Sequence, residues 1–264
     1  MAQALVTVLD EKHVGSEGDA VRVRRITLNR ADKANAMTAD MMRSVARIVA
    51  EQAADVHVLQ SASARLFCAG ADIAEFLAGE QALAEQEHAL LALIESLSQS
   101  QVPLLAVVRG KASGAGVLLL ALSDVVLAAE GSQLACPEIQ FGMYPVIVDA
   151  VLNARISPAL ASRMCLGQAL GALDAWQVGL VTEVIPQADF DAVVAQRLDY
   201  FLARSGSLAI ARQCRQRMAS AQAVVQRVQS VAPLMGDNYR GGGVRERISG
   251  YLSDLARKRN PAGA

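Results

Sequence analysis

Residues Val107 to Pro145 read VVRGKASGAGVLLLALSDVVLAAEGSQLACPEIQFGMYP, and this stretch decides how the rest of the chain is understood. An apolar, strand-like run from Leu104 to Val108 stops at Gly110, a loop with Gly114, Ala115 and Gly116 follows, and a nearly all-apolar segment continues from Val117 to Leu122. That is the pattern of strand, tight glycine turn and buried helix. Small residues at 113 to 116 allow a ligand to approach the backbone closely. The helix start beyond them leaves N–H groups without intrahelical acceptors, at the end of a helix that favours a negatively charged oxygen. A second strand-like run, Val125 to Ala129, leads through Gly131 to Cys136-Pro137-Glu138-Ile139, where one carboxylate stands among apolar neighbours. Taken alone, Glu138 is either a solvated loop residue or a working acid and base.

Upstream, Leu5 to Leu9 and Val21 to Leu28 read as a hairpin with its turn over Glu11 to Asp19. Thr38 is placed to cap a helix whose apolar positions Met41, Met42, Val45, Ile48 and Val49 recur at helical spacing. A short strand, Val56 to Leu59, precedes a second glycine turn, Leu66-Phe67-Cys68-Ala69-Gly70-Ala71-Asp72-Ile73, and a long helical pattern from about Gln81 to Ser96. Alternating strands and helices predict an α/β fold with parallel units, whose ligands sit beyond the carboxyl ends of the strands. Both glycine turns fall there. After Pro145 the pattern is mainly helical, ending in an amphipathic segment from Val244 to Lys258. A core over 1–200 and a helical region over 201–264 follow as the expected division.

The 264 residues are ample for one large core. With 53% hydrophobic residues and a mean hydropathy of +0.28, the chain carries more apolar surface than a monomer needs to hide, so self-association is expected. No apolar run approaches the roughly 18 to 20 residues of a membrane helix. A net charge of −1 argues against nucleic acid as a partner. The N-terminus has no basic and apolar leader pattern, and Cys68, Cys136, Cys165 and Cys214 are scattered, so the reading is a cytoplasmic protein with reduced core thiols. His13, His57 and His88 lack metal-ligand spacing, and no metal is expected.

Three nucleotide and hydrolase motifs fail. A dinucleotide fingerprint needs a third glycine where Leu119 stands, Gly110-Lys111 lacks the rest of a phosphate loop, and Ser113 is not framed as a nucleophile elbow.

Taken together, the two glycine turns and the Pro-Glu pair resemble the crotonase, or enoyl-CoA hydratase/isomerase, superfamily. The likeness runs from Leu28-Asn29-Arg30 through Phe67 to Asp72, Gly110 to Asp124 and Pro137-Glu138-Ile139 to the segment Trp176 to Val181. It implies a crotonase-like ββα spiral core with a C-terminal helical trimerisation region, a homotrimer or a hexamer of paired trimers, and acyl-CoA thioester substrates. Coenzyme A then enters as part of the substrate, with no separate cofactor. By the same resemblance the backbone N–H groups of Ala71 and Ala115 form an oxyanion hole. Lys33 and the loop Ala69, Gly70, Ala71, Asp72 and Ile73 bind the nucleotide part with Gly114 and Ala115, and C-terminal basic residues reach toward it.

The chain also departs from that pattern. Hydratases of the superfamily use two glutamates, and alignment of Gly114 to Leu118 puts the first at Leu118, twenty residues before Glu138. Leu118 cannot move a proton, and Glu138 remains. Pro145-Val-Ile-Val-Asp149 replaces a glycine-rich segment with bulky residues, which reshapes the acyl pocket and makes Leu118, Tyr144 and Asp149 candidate lining residues. Asp149 reads either as a helix cap or as a pocket carboxylate, Cys136 as core or pocket, and Asp124 as structural. Burial beside Ile139 and Phe141 is expected to raise the Glu138 pKa. One carboxylate suffices to take a proton from one carbon and return it to another, so isomerase-like chemistry is plausible. The alternatives are a catalytically weak acyl-CoA-binding protein and another enolate reaction, such as decarboxylation or ring hydration.

Overall fold

A computed structural model describes residues 4–15, 18–219, 221–241 and 243–259. Strands β1 (Val6–Val14) and β2 (Ala20–Leu28) pair antiparallel, Val6 opposite Leu28. The hairpin strands therefore run further than the sequence pattern suggested, through charged residues of β1, where Asp10 lies opposite Arg24 and Glu11 pairs with Arg25 at 2.7 Å. Helix α1 (Ala39–Ala50) begins as expected, the Thr38 hydroxyl oxygen accepting the Met41 N–H at 3.2 Å.

Then come β3 (Val56–Ser61), β4 (Leu66–Cys68), α2 (Ile73–Leu77), α3 (Glu80–Gln99), β5 (Leu104–Val108), β6 (Lys111–Ser113) and α4 (Ala115–Ala121). They are followed by β7 (Val125–Ala129), β8 (Gln133–Ala135), a 3-10 helix at Pro137–Phe141, and α5 (Val146–Leu152). The chain continues with α6 (Pro158–Cys165), β9 (Leu170–Gly171), α7 (Ala172–Gln177), β10 (Glu183–Ile185), α8 (Phe190–Leu202), α9 (Ser205–Ala219), α10 (Ala221–Arg240) and α11 (Val244–Arg259). Pro233 lies inside α10.

The strands form two sheets, one in the order β1-β2-β3-β5-β7-β10 and a smaller one in the order β4-β6-β8-β9. Three successive turns of the chain each lay a strand in the large sheet, a short strand in the small sheet and then helix, and within each sheet these strands pair parallel. This is the ββα spiral that the resemblance implied. The short strands β4, β6 and β8 occupy segments read from sequence as loops, so Gly110 and Gly114 are separated by a strand rather than joined in one turn.

Val21, Val23, Val56, Val58, Leu105 and Leu127 bury one face of the large sheet under Phe190, Val194 and Leu198 of α8. The opposite face faces α1, α3 and α4 across the main core, to which Ile26, Leu59, Met42, Leu93 and Leu118 belong. A third, smaller cluster of Phe76, Leu83, Phe141, Met143, Val244 and Ile248 joins α2 and α3 to α11, beside the small-sheet turns.

Two polar groups sit deep in this frame. Asp124 receives Arg212 and Arg215, each at 2.6 Å, and the Leu104 N–H at 2.8 Å, so it anchors α9 to the sheet as the structural reading required. His57, on β3, is fully buried with no hydrogen-bond partner on either ring nitrogen among the described residues, and burial pushes its pKa down to about 4. The cysteine reading needs one correction: Cys68, Cys136 and Cys165 are buried, but Cys214 is exposed, because its face of α9 looks away from the core. Among the described residues, no helix is long and apolar enough to cross a membrane.

Candidate active site

The small sheet brings the two glycine turns together. Gly70 and Ala71 follow β4, Gly114 and Ala115 follow β6, and these two strands are hydrogen-bonded neighbours. Cys68 packs so tightly under α4 that a methyl group on Gly116 would stand 2.7 Å from its carbonyl oxygen. Met37 N–H donates to Gly70 O at 2.7 Å and Asp72 N–H to Met37 O at 2.9 Å. This parallel bridge straddles Ala71, whose own N–H points the other way and enters none of the loop hydrogen bonds. Ala115 is the first residue of α4, so its N–H has no intrahelical acceptor.

Glu138 closes the third side. Its 3-10 helix follows β8, the next strand of the same sheet, and starts at Pro137, whose missing N–H costs nothing at that position. A methyl group on Gly114 would lie 2.3 Å from Glu138 Oε1 and 3.7 Å from the Gly70 Cα. Gly114 also has φ +48°, a left-handed value that disfavours any side chain. Both turns and the carboxyl group thus share one spot.

The residue as a whole is half-buried, but Glu138 Oε2 is closed off and has no hydrogen-bond partner among the described residues. Burial pushes the Glu138 pKa up to about 7. The sequence reading attributed that burial to Ile139 and Phe141. Phe141 is buried, but Ile139 is 38% exposed, turned outward because successive residues of a 3-10 helix cannot face one side. The Gly114 turn supplies the wall that Ile139 does not.

The remaining candidates divide. Lys33 is exposed on a short 3-10 helix, Ala31–Lys33, and its loop is tied to the Ala69 loop by the Ala69 N–H donating to Ala34 O at 3.0 Å. Asp72 caps α2 by accepting the Ala74 N–H and pairs with Arg30 at 2.6 Å, and Ile73 begins that helix and packs on the satellite cluster. Leu118 is wholly buried in the main core. Asp149 is not a cap: α5 starts at Val146, one turn earlier than the sequence pattern put it, leaving Asp149 within the helix. Its carboxylate accepts Asn153 Nδ2 at 2.9 Å and lies against the Tyr144 hydroxyl. Burial, followed by Asp149, pushes that phenol up to about 12. Cys136 is buried, and the neighbouring Cys165 thiol and that burial push its own thiol pKa up, with Glu138 and Asp149 adding to the same direction.

Sequence reasoning missed Asn35, fully buried, which accepts the Arg30 N–H and donates to Ser61 Oγ and Phe67 O, fixing the loop beneath Ala69. Its signal was present: φ is +53°, a conformation in which Asn is enriched. It also missed Tyr239 of α10, which no motif marks.

The enoyl-CoA hydratase/isomerase family model matches residues 19–234. The chain belongs to the enoyl-CoA hydratase/isomerase family. Among relatives, it is 33% identical over 196 residues to the 2,3-dehydroadipyl-CoA hydratase of Escherichia coli, covering 72% of this chain and 75% of that one. It is 29% identical over 193 residues to enoyl-CoA delta isomerase 2 of Rattus norvegicus, covering 70% of this chain but only 49% of that longer protein. The fold matches a crystal structure of an enoyl-CoA hydratase/isomerase from Mycobacterium paratuberculosis with a TM-score of 0.79, at 23% identity, over 93% of this chain and 97% of that one. An enzyme of the enoyl-CoA hydratase/isomerase family is therefore what the site belongs to.

Proposed function

We propose that this enzyme acts on an acyl-CoA thioester through an enolate and moves a proton between carbons with Glu138 as its single base, the chemistry of a 3-enoyl to 2-enoyl isomerase. Coenzyme A belongs to the substrate, held by Lys33 and the loop from Ala69 to Ile73, with no separate cofactor. The thioester oxygen takes the Ala71 and Ala115 N–H groups. As the Glu138 carboxylate removes the α-proton, negative charge gathers on that oxygen, where two fixed donors stabilise it without reorganisation. The protonated Glu138 then delivers the proton to the γ-carbon. The double bond moves and the carboxylate is regenerated.

The observation that carries this reading is the state of Glu138: buried against the Gly114 turn, with one oxygen unpartnered and a pKa of about 7, it can both take and return a proton near neutrality. Leu118, fully buried, offers no second base at the position the resemblance gives to the hydratases' first glutamate. The names of the relatives include both a hydratase and an isomerase. Homotrimer formation is part of the same proposal, supported by Leu166, Leu173 and Trp176, each more than half exposed. Sedimentation velocity tests that part.

The chemistry is tested with purified enzyme and a panel of 2-enoyl and 3-enoyl thioesters. Turnover of the 3-enoyl esters that vanishes in Glu138→Gln, with CoA-ester binding retained, is the expected result. Efficient hydration of 2-enoyl esters by the wild type, or turnover that survives Glu138→Gln, would remove the single-base reading. Tight binding with no turnover of any ester would identify a binding protein instead.

A further inference from the structure

Glu138 Oε2 is a buried carboxyl oxygen with no donor among the described residues, a condition that native structures seldom leave unexplained. The end of α10 is fastened to the segment that follows Glu138. Asn238 Nδ2 donates to Tyr144 O at 2.7 Å, and the Tyr144 N–H returns a bond to Asn238 Oδ1 at 3.1 Å. This reciprocal clasp fixes the helix end to the segment just after Glu138. The next residue, Tyr239, lays its ring on Phe76 of α2, with centroids 4.6 Å apart and planes tilted by 39°. That helix begins two residues after Ala71. The same ring packs against the cluster containing Phe141 and Met143, which follow Glu138 by three and five residues. Tyr239 is therefore held between the two elements that carry the site.

The phenol has an electrostatic link to the carboxylate as well. Burial raises its pKa, and the Glu138 and Glu87 carboxylates push it the same way, so it stays protonated and able to donate. The other charged groups near the ring are Glu80 of α3, Arg240 of α10 and Arg245 of α11, which line a small cavity beside it with Phe76, Leu83 and Ile248. Arg240 and Arg245 both reach Glu80, at 3.4 and 3.1 Å, and are engaged at the rim.

We propose that Tyr239 is a positioning residue for Glu138, its hydroxyl donating a hydrogen bond to the carboxylate, directly or through one bridging water, in the working enzyme. The inference rests on Glu138 being the proton-transfer base. With no second carboxylate at 118, the phenol is the group left to steady the single base, whose proton affinity burial has already raised.

Tyr239→Phe keeps the ring and removes the donor. Loss of one hydrogen bond to the ionised form is expected to raise the Glu138 titration midpoint by about half to one pH unit. The readout is the infrared band of the protonated carboxyl group, identified by its loss in Glu138→Gln. The acid limb of kcat/KM is expected to move by the same amount, with affinity for an unreactive CoA thioether held within about twofold. A ring that only packs against Phe76 leaves the band where it is, and that result overturns the proposal. Failure of the single-base reading shows separately, as turnover surviving in Glu138→Gln, because the infrared titration needs no activity. Should Tyr239→Phe not fold, Asn238→Ala, which opens the clasp on Tyr144, is expected to shift the band in the same direction. An unmoved band there also overturns the assignment.

Discussion

Asp124 and Glu138 occupy comparable depths at neighbouring turns of the spiral, one after α4 and the other after β8. The Asp124 side chain, 5% exposed, has two arginines and a backbone N–H on its oxygens. Glu138 has a bare Oε2, a glycine Cα against its other oxygen and a pKa raised to about 7. A desolvated carboxylate that is fully paired holds elements together. One that is desolvated and unpaired is balanced between two states, which is what proton transfer requires. The difference lies in their partners, not in their burial.

The comparison can be broken most directly by exchanging what each carboxylate supplies. Glu138→Gln is expected to lower kcat by about a thousandfold or more while binding holds, measured by turnover and by titration with an unreactive ester. Asp124→Ala leaves Arg212 buried without its partner and is expected to cost about 3–5 kcal/mol in urea unfolding, with the specific activity of the folded fraction unchanged. If the two phenotypes were swapped, the assignment of roles would be reversed.

A subtler separation comes from pH. The folded-state pKa of Glu138, about 7, lies above its ordinary value of 4.5, so its contribution favours the fold fully below pH 4.5 and is lost as pH rises through 7. Above that point the ionised side chain costs about 3 kcal/mol. Glu138→Gln is thus expected to be inactive yet more stable than wild type at pH 8, and a melting curve at pH 8 against one at pH 5 checks it. His57 behaves with the opposite sign: its folded pKa, about 4, is depressed below 6.5, so stability present above pH 6.5 drains away as the pH falls toward 4. His57→Leu is expected to recover about 2 kcal/mol at pH 5 relative to wild type, read from unfolding curves at pH 5 and pH 7.

Sequence alone carried the parts of the site whose chemistry is local. The glycines of the two turns that bring Ala71 and Ala115 together, the proline before Glu138 and the Thr38 cap each express a constraint within a few residues. The three-residue strands β4, β6 and β8 were invisible because so short a segment has no alternation to detect, and they are defined by partners at the far ends of long crossovers. Arg212 and Tyr239 were missed for a related reason. Each lies on an ordinary amphipathic helix far along the chain from the elements it packs against, and helical periodicity reports which face is buried, not what that face meets. Asp149 was misplaced by a different effect: Pro145 starts α5 earlier than the apolar pattern alone indicates.

Pro233 gives α10 a property that its neighbours lack. With no N–H to offer the carbonyl of Gln229, it removes one rung from the helix ladder, seven residues before the helix ends. The outer portion, which includes Gly236, Asn238 and Tyr239, owes its direction to the clasp on Tyr144 and the stacked Phe76 rather than to an unbroken backbone spine. Mutational drift in that short tip can redirect the face that α10 turns toward Phe76 and Tyr144 while both sheets, and the stability they hold, stay untouched.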